Sequence, residues 1–382
     1  VSVLYWPAQR GCRTMWSPVC VLAALIGALS IVHVAAHEHG NGFRCISDSP
    51  ELEAAFHASV AAAAEAAAAV GYVAERDFHA LSTGTRQSLR IHLDTTQLRN
   101  ASIHCNTTDE SRSTLIGSAT KTCTDADILT DAKATILTDY VLPAAARVLS
   151  DALLVDRLVN VTIMAGCGTV PVAMAGTTYP DADFGLIVTA APTDEGTLAW
   201  ATACELDSAT KRPTIGHANF GPASIAWAED GSYTNANMIA TAVHEVLHAL
   251  GFTKSFFNTY FADAPFATTT VEMRGKNVTL LNTSTVAAVA QQYFNCSAAL
   301  GGELEDEGAA GSAGSHWDRR VLANEMMAPA GGIYLSNFTL AAMQDSGFYT
   351  ANFSAADDPA IAFGKDAGCG FLNASCNTTE GG

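Results

Sequence analysis

Two histidines and a glutamate carry the most specific chemistry in this chain. They stand in the string His244-Glu245-Val246-Leu247-His248-Ala249-Leu250-Gly251-Phe252. On a helix, residues four apart share a face, so His244 and His248 can offer two imidazoles to one metal ion. Glu245 sits next to the first of them, within reach of a water at that metal. In this HExxH spacing the histidines hold zinc and the glutamate serves as the base. The competing reading is a helix whose two histidines face the core and are satisfied by hydrogen bonds.

Catalytic zinc usually takes three protein ligands and keeps one open position. Gly251 ends the helical pattern, and a glycine at a helix C-terminus can turn the chain sharply. The only histidine beyond it is His316, 68 residues after His248, in Gly314-Ser315-His316-Trp317-Asp318. Met327 follows eleven residues later in Asn324-Glu325-Met326-Met327-Ala328-Pro329. A zinc aminopeptidase would instead draw its third ligand from a downstream glutamate. The candidates Glu303, Glu305 and Glu307 fall in a Gly-rich stretch that reads as a loop.

These strings together resemble the leishmanolysin family of surface metalloproteases, a metzincin with a long insertion between the glycine and the third histidine. The resemblance extends over roughly residues 86–376. It includes Cys123-Thr124-Asp125-Ala126-Asp127-Ile128-Leu129-Thr130, the segment from Glu195 to Cys204, and Gln344-Asp345 with Gly347-Phe348-Tyr349. It implies a zinc metalloendopeptidase acting on protein or peptide substrates, with one Zn²⁺ per chain. His244, His248 and His316 would be ligands, Glu245 the base, Gly251 the turn, and Met327 the Met-turn under the imidazoles. A rival from another class is an inactive surface adhesin on the same scaffold, and adhesion can also accompany proteolysis. Tyr334 is expected to line the cleft without a catalytic role.

The resemblance also bears on the cysteines. Cys45, in Phe43-Arg44-Cys45-Ile46-Ser47-Asp48, resembles the family's latency switch, a thiol able to fill the fourth zinc position. Without the resemblance it reads equally well as an unpaired cysteine. The implied disulfides are Cys105–Cys123, Cys167–Cys204 and Cys296–Cys369. Cys376 is left over, and its expected partner lies in a C-terminal region that this chain lacks.

The elements that must position these residues read as follows. Arg10 and Arg13 precede an apolar run from Val19 to about Ala36, the order of a secretory signal; a membrane anchor is the alternative. Ser49 and Pro50 open an Ala-rich helical stretch, Glu51–Val70, which suits a pro-segment, spacer or docking helix better than a core. Residues 89–93 alternate like a strand. Residues 125–150 read as a helix interrupted by Pro143. Residues 159–164 and 184–190 read as strands, and Thr214–Asn219 as a short edge strand able to pair with an extended substrate. Residues 235–250 form an amphipathic helix. Without a regular βαβ repeat the fold class is α+β, with a mixed twisted sheet and the active-site helix in the N-terminal subdomain and a mostly irregular or helical C-terminal one. The expected organisation is 1–36 signal peptide, 37–85 pro-segment, 86–251 N-terminal catalytic subdomain, 252–349 insertion with third ligand and Met-turn, and 350–382 the start of a truncated C-terminal domain.

Composition limits the partners. The chain has 382 residues, 49% hydrophobic and only 15% charged, which is a globular balance. A net charge of −18 argues against nucleic acid. Ten of sixteen asparagines lie in Asn-X-Ser/Thr sequons, against roughly two expected by chance, which points to a secreted or cell-surface glycoprotein. Membrane contact is expected only through an anchor not present in this chain. His92, His104 and His217 read as surface or core residues.

Overall fold

The structure is a computed structural model. It describes residues 45–47, 49–74, 85–167, 169–170, 174–229, 233–307, 312–330, 332–357 and 362–375. The apolar run at 19–36 and Cys376 lie outside these, as do residues 75–84 and the segment Phe43-Arg44. The elements used below are α1 (Pro50–Val70), β1 (Ile91–Asp94), α2 (Leu142–Ala152), β2 (Phe184–Thr189), β3 (Ala199–Leu206), β4 (Pro213–Phe220), α3 (Tyr233–Ala249), β5 (Thr268–Met273), β6 (Lys276–Leu281), α4 (Ser284–Tyr293), β7 (Gly302–Glu303) and α5 (Asn337–Asp345).

The main sheet has the order β1-β2-β4-β3. β1, β2 and β4 run parallel, and β3 runs antiparallel to β4. β2 and β4 are buried along their whole length, which fits the apolar, partly β-branched sequence of β2; β4 also buries the polar Thr214, His217 and Asn219. The structure corrects one expectation here. Thr214–Asn219 is not an edge: β4 is flanked on both sides, and β3 takes the edge. Pro213, read as an edge marker, stands at the first residue of the strand, where its missing N–H removes nothing from the central ladder.

α3 packs across β3 and β4. Gly216 makes the close approach feasible, because a Cβ there would meet Phe184 at 2.6 Å and the Ala249 Cβ at 3.0 Å. On the other side of α3 lies α2. It continues from a short helix at Asp131–Thr135 through a π-helical stretch, Ile136–Val141. Pro143 therefore does not break the helix. It falls in the first turn of α2, and the widened π stretch absorbs its missing N–H. The helix runs to Ala152, and 125–127 is a separate 3₁₀ turn.

A three-stranded antiparallel sheet, β5-β6-β7, belongs to the insertion. Glu303 is a strand residue, not a loop residue, and its carboxylate is held by Arg274 at 2.6 and 2.9 Å. One large core joins both regions, from Phe56 through Leu247 to Phe338 and Leu340. A smaller one, with Ile163, Ile187 and Ile215, covers the opposite face of the main sheet. Disulfides link Cys105 to Cys123, Cys167 to Cys204 and Cys296 to Cys369.

The alanine-rich α1 has few large side chains, yet it docks. Ser49 caps it by accepting the Leu52 N–H at 3.3 Å, Pro50 opens it, and Gly71 closes it in the left-handed conformation. Leu52, Phe56, Ser59 and Ala63 form its buried stripe. Phe56 packs on Phe256 and Tyr260, and burying such a ring contributes about 1.5–3 kcal/mol. Ser255 adds a hydrogen bond to Glu53 at 2.6 Å. Among the described residues no helix is long and apolar enough to cross a membrane.

Candidate metal centre

α3 carries His244, Glu245 and His248 into the interior, with Glu245 and His248 fully buried and His244 nearly so. The helix ends at Ala249 and the chain turns at Gly251, whose φ of +112° disfavours any residue with a Cβ. That turn sends the chain back so that the Phe252 carbonyl accepts the His248 Nδ1–H at 2.7 Å. His316 arrives from the loop after β7, and its Nδ1–H is taken by the Ser312 carbonyl at 2.9 Å. His244 donates its Nδ1–H to the Met326 carbonyl at 2.7 Å.

A carbonyl can only accept, so each Nδ1 bears the proton and each Nε2 presents a lone pair. The three Nε2 atoms converge, with separations of 3.1, 3.2 and 3.2 Å. None of them has a proton to offer the others. Such a cluster is repulsive unless a cation sits between the rings. Burial also keeps the imidazoles neutral: it holds His244 down at about 4 and His316 at about 3. Neutral imidazole is the metal-binding form. A tetrahedral zinc with bonds of about 2.0–2.1 Å to nitrogen separates its nitrogens by roughly 3.3 Å. The donor set therefore fits zinc.

The Cys45 Sγ lies 3.5 Å from the His248 Nε2 and is buried beside the cluster. Tetrahedral zinc would set sulfur and nitrogen roughly 3.6 Å apart. All four ligand atoms lie within 4.8 Å of one another. Two residues on, the Ser47 hydroxyl donates to Glu245 Oε2 at 2.8 Å and accepts the Ala201 N–H at 3.1 Å. Sequence reasoning quoted Ser47 only as a neighbour of Cys45. A hydroxyl two residues from a candidate ligand is too common a signal to single out.

Met327 is wholly buried, and its carbonyl accepts the Trp317 N–H at 3.0 Å. Its own N–H is held by the carboxylate of Glu325. Glu325 was also missed, because a glutamate in Asn-Glu-Met-Met has no recognisable spacing. Its carboxylate is buried, which raises its pKa to about 6 against the pull of hydrogen bonds from Thr339, Ser336 and Met327. Tyr334 follows the Met327 loop in sequence. It lines a cavity of about 440 Å³ with Glu325, Ser336 and Tyr293, whose lining includes none of the three histidines. A parallel bridge joins it to Glu325, and its carbonyl accepts the Met326 N–H at 2.8 Å. Glu303 and Glu305 are engaged elsewhere, and neither joins the cluster. His217 is a core residue bonded to Thr169 and Thr189 at 2.6 and 2.7 Å, and burial lowers its pKa to about 3. His92 stacks on Tyr179.

The chain resembles known proteins over most of its length. The sequence profile of the Peptidase_M8 family, described as leishmanolysin, matches residues 49–381. The chain is 34% identical to a leishmanolysin of Leishmania major over 97% of this chain and 63% of the relative. It is 35% identical to a leishmanolysin homolog of Crithidia fasciculata over 75% of this chain and 44% of the relative. It is 34% identical to a leishmanolysin-like peptidase of Drosophila melanogaster over 51% of this chain and 34% of the relative. The chain thus spans less than two thirds of the length of these curated relatives.

Proposed function

Because the chain belongs to the leishmanolysin family, we propose that it is a zinc-dependent metalloendopeptidase, secreted or cell-surface, with His244, His248 and His316 as ligands and Glu245 as general base. The observation that carries this reading is the convergence of three Nε2 lone pairs at 3.1–3.2 Å. Bound zinc supplies Lewis acidity, which makes water more acidic and polarises a scissile carbonyl.

The chain's own residues do the rest. The Glu245 carboxylate, one residue from His244 on α3, accepts a proton from the attacking water and returns it to the leaving amine. The carbonyls of Met326, Phe252 and Ser312 hold the three rings in the tautomer that leaves Nε2 available. The buried Met327 floors the cluster and is not a ligand. The edge strand β3 offers the Ala201 N–H to an extended substrate backbone once Ser47 leaves it. Residues 37–85 act as the pro-segment, with Cys45 as its latch. The three disulfides suit an oxidising compartment.

The test is zinc analysis with casein clearing in a gel, comparing Cys45→Ala protein with the Cys45→Ala/Glu245→Ala double variant. One zinc per chain in both and clearing only by the former is expected. Protein without stoichiometric zinc, or clearing that survives loss of Glu245, would overturn the proposal.

A further inference from the structure

We propose that Glu325 is a positioning residue for the metal centre, setting the orientation and basicity of His244 and the placement of the His316 segment through two hydrogen-bonded arms. This rests on the zinc reading above.

The first arm runs through a single peptide group. The Met327 N–H donates to Glu325 Oε2, and the Met326 carbonyl accepts from His244 Nδ1 at 2.7 Å. These are the two ends of the same planar peptide, Met326–Met327. A carboxylate at the N–H end increases the acceptor strength of the oxygen at the other end, as hydrogen-bonded chains polarise one another. A stronger acceptor at Nδ1 makes Nε2 a better donor to a metal. The arrangement is a carboxylate–histidine relay with one peptide bond inserted.

The second arm runs through Thr339. Its hydroxyl donates to Glu325 Oε1 at 2.6 Å and accepts the Trp317 Nε1–H at 2.9 Å. Trp317 is the neighbour of His316, and its N–H is fixed by the Met327 carbonyl at 3.0 Å. Glu325 Oε1 also takes the Ser336 hydroxyl at 2.7 Å and the Ser336 N–H at 3.2 Å, which ties the loop to the start of α5. One carboxylate, 4% exposed, therefore collects four donors and holds both segments that back the metal site. A purely structural anchor would need no such placement across the peptide that orients a ligand.

Glu325→Gln keeps the shape but sets an amide N–H₂ against either the Met327 N–H or the Ser336 and Thr339 hydroxyls. Full-length protein is loaded with Zn²⁺ and titrated with a competing chelator. In parallel it is loaded with Co²⁺ and its visible ligand-field absorption recorded. Ile163→Ala, in the small core on the far face of the sheet, is the control for general destabilisation. Glu325→Gln is expected to weaken zinc binding by about tenfold to a hundredfold and to alter the cobalt spectrum, whereas Ile163→Ala changes neither. Thr339→Val leaves the carboxylate in place, cuts only the second arm, and is expected to give a smaller loss with an altered spectrum. Should Glu325→Gln not fold, Thr339→Val decides. Wild-type affinity and an unchanged cobalt spectrum in the folded variant would overturn this inference alone, as would equal losses in Ile163→Ala. Wild-type protein that binds no metal would overturn the zinc reading as well.

Discussion

The Ser47 hydroxyl bridges the Glu245 carboxylate and the edge strand, donating to Oε2 at 2.8 Å while accepting the Ala201 N–H at 3.1 Å. The segment that brings Cys45 to the histidines thus occupies the Glu245 carboxylate and an edge-strand N–H as well. Ser47→Ala in the unprocessed chain is expected to raise casein cleavage modestly, Cys45→Ala to raise it more, and the double variant to exceed both. The measurement is the cleavage rate of unprocessed protein. Single variants that stay as inactive as the parent would show that neither contact maintains latency.

With Cys45 replaced, Glu245→Gln is expected to lower kcat by about 10²–10⁴-fold, the usual scale for a lost general base. Zinc content should stay at one per chain, since Glu245 is not among the clustered donors. Metal analysis on the same sample checks this. Loss of zinc together with activity would mean that Glu245 acts on the site's structure and not on the proton.

His316→Ala removes one of three converging nitrogens and is expected to abolish stoichiometric zinc binding at micromolar metal. Chelator treatment of the active form should abolish cleavage, and added Zn²⁺ should restore it. Retention of full zinc by His316→Ala would exclude it as a ligand.

Gly251→Ala places a Cβ at a φ of +112° and 3.1 Å from the Phe256 ring. The cost is about 1–3 kcal/mol of backbone strain. Because the turn also carries the Phe252 carbonyl to His248, zinc affinity is expected to fall alongside stability. Denaturant melts and chelator competition measure the two separately. An unchanged melt would show that the turn tolerates a side chain.

Glu303→Ala leaves the Arg274 guanidinium buried without its bidentate partner. Breaking a buried pair from one side costs about 3–5 kcal/mol. Both side chains are under 5% exposed, so solvent does little to soften the loss. A reduction below about 1 kcal/mol in urea unfolding would show that Arg274 finds a new partner.

Some of this was legible in the chain alone, for a local reason. The helical period places His244 and His248 on one face whatever surrounds them. Ser49-Pro50 and Gly71 bound α1 through backbone preferences that act over a few residues. An apolar run such as Phe184–Thr189 can be read as buried without knowing its neighbours. Edge and centre could not be read this way, because β3 and β4 are both buried along nearly all of their length and what separates them is which strands lie beside them. The strand order of the sheet made Pro213–Phe220 interior and left Ala199–Leu206 at the rim. Pro143 misled for a similar reason: the π stretch that accommodates it is a packing solution, not a property of the residue.

The site divides along the same line. The sequence by itself determined two imidazoles and a carboxylate on one turn, and a glycine able to end it. The family resemblance pointed to His316 and Cys45, but only the tertiary structure brings them, from 68 residues after and 203 residues before His248, to within 3.2 and 3.5 Å of its Nε2. It alone set Glu325 behind the peptide that orients His244. Such pairings depend on the sum of many weak burial and hydrogen-bond terms across the fold. No single spacing in the chain records that sum.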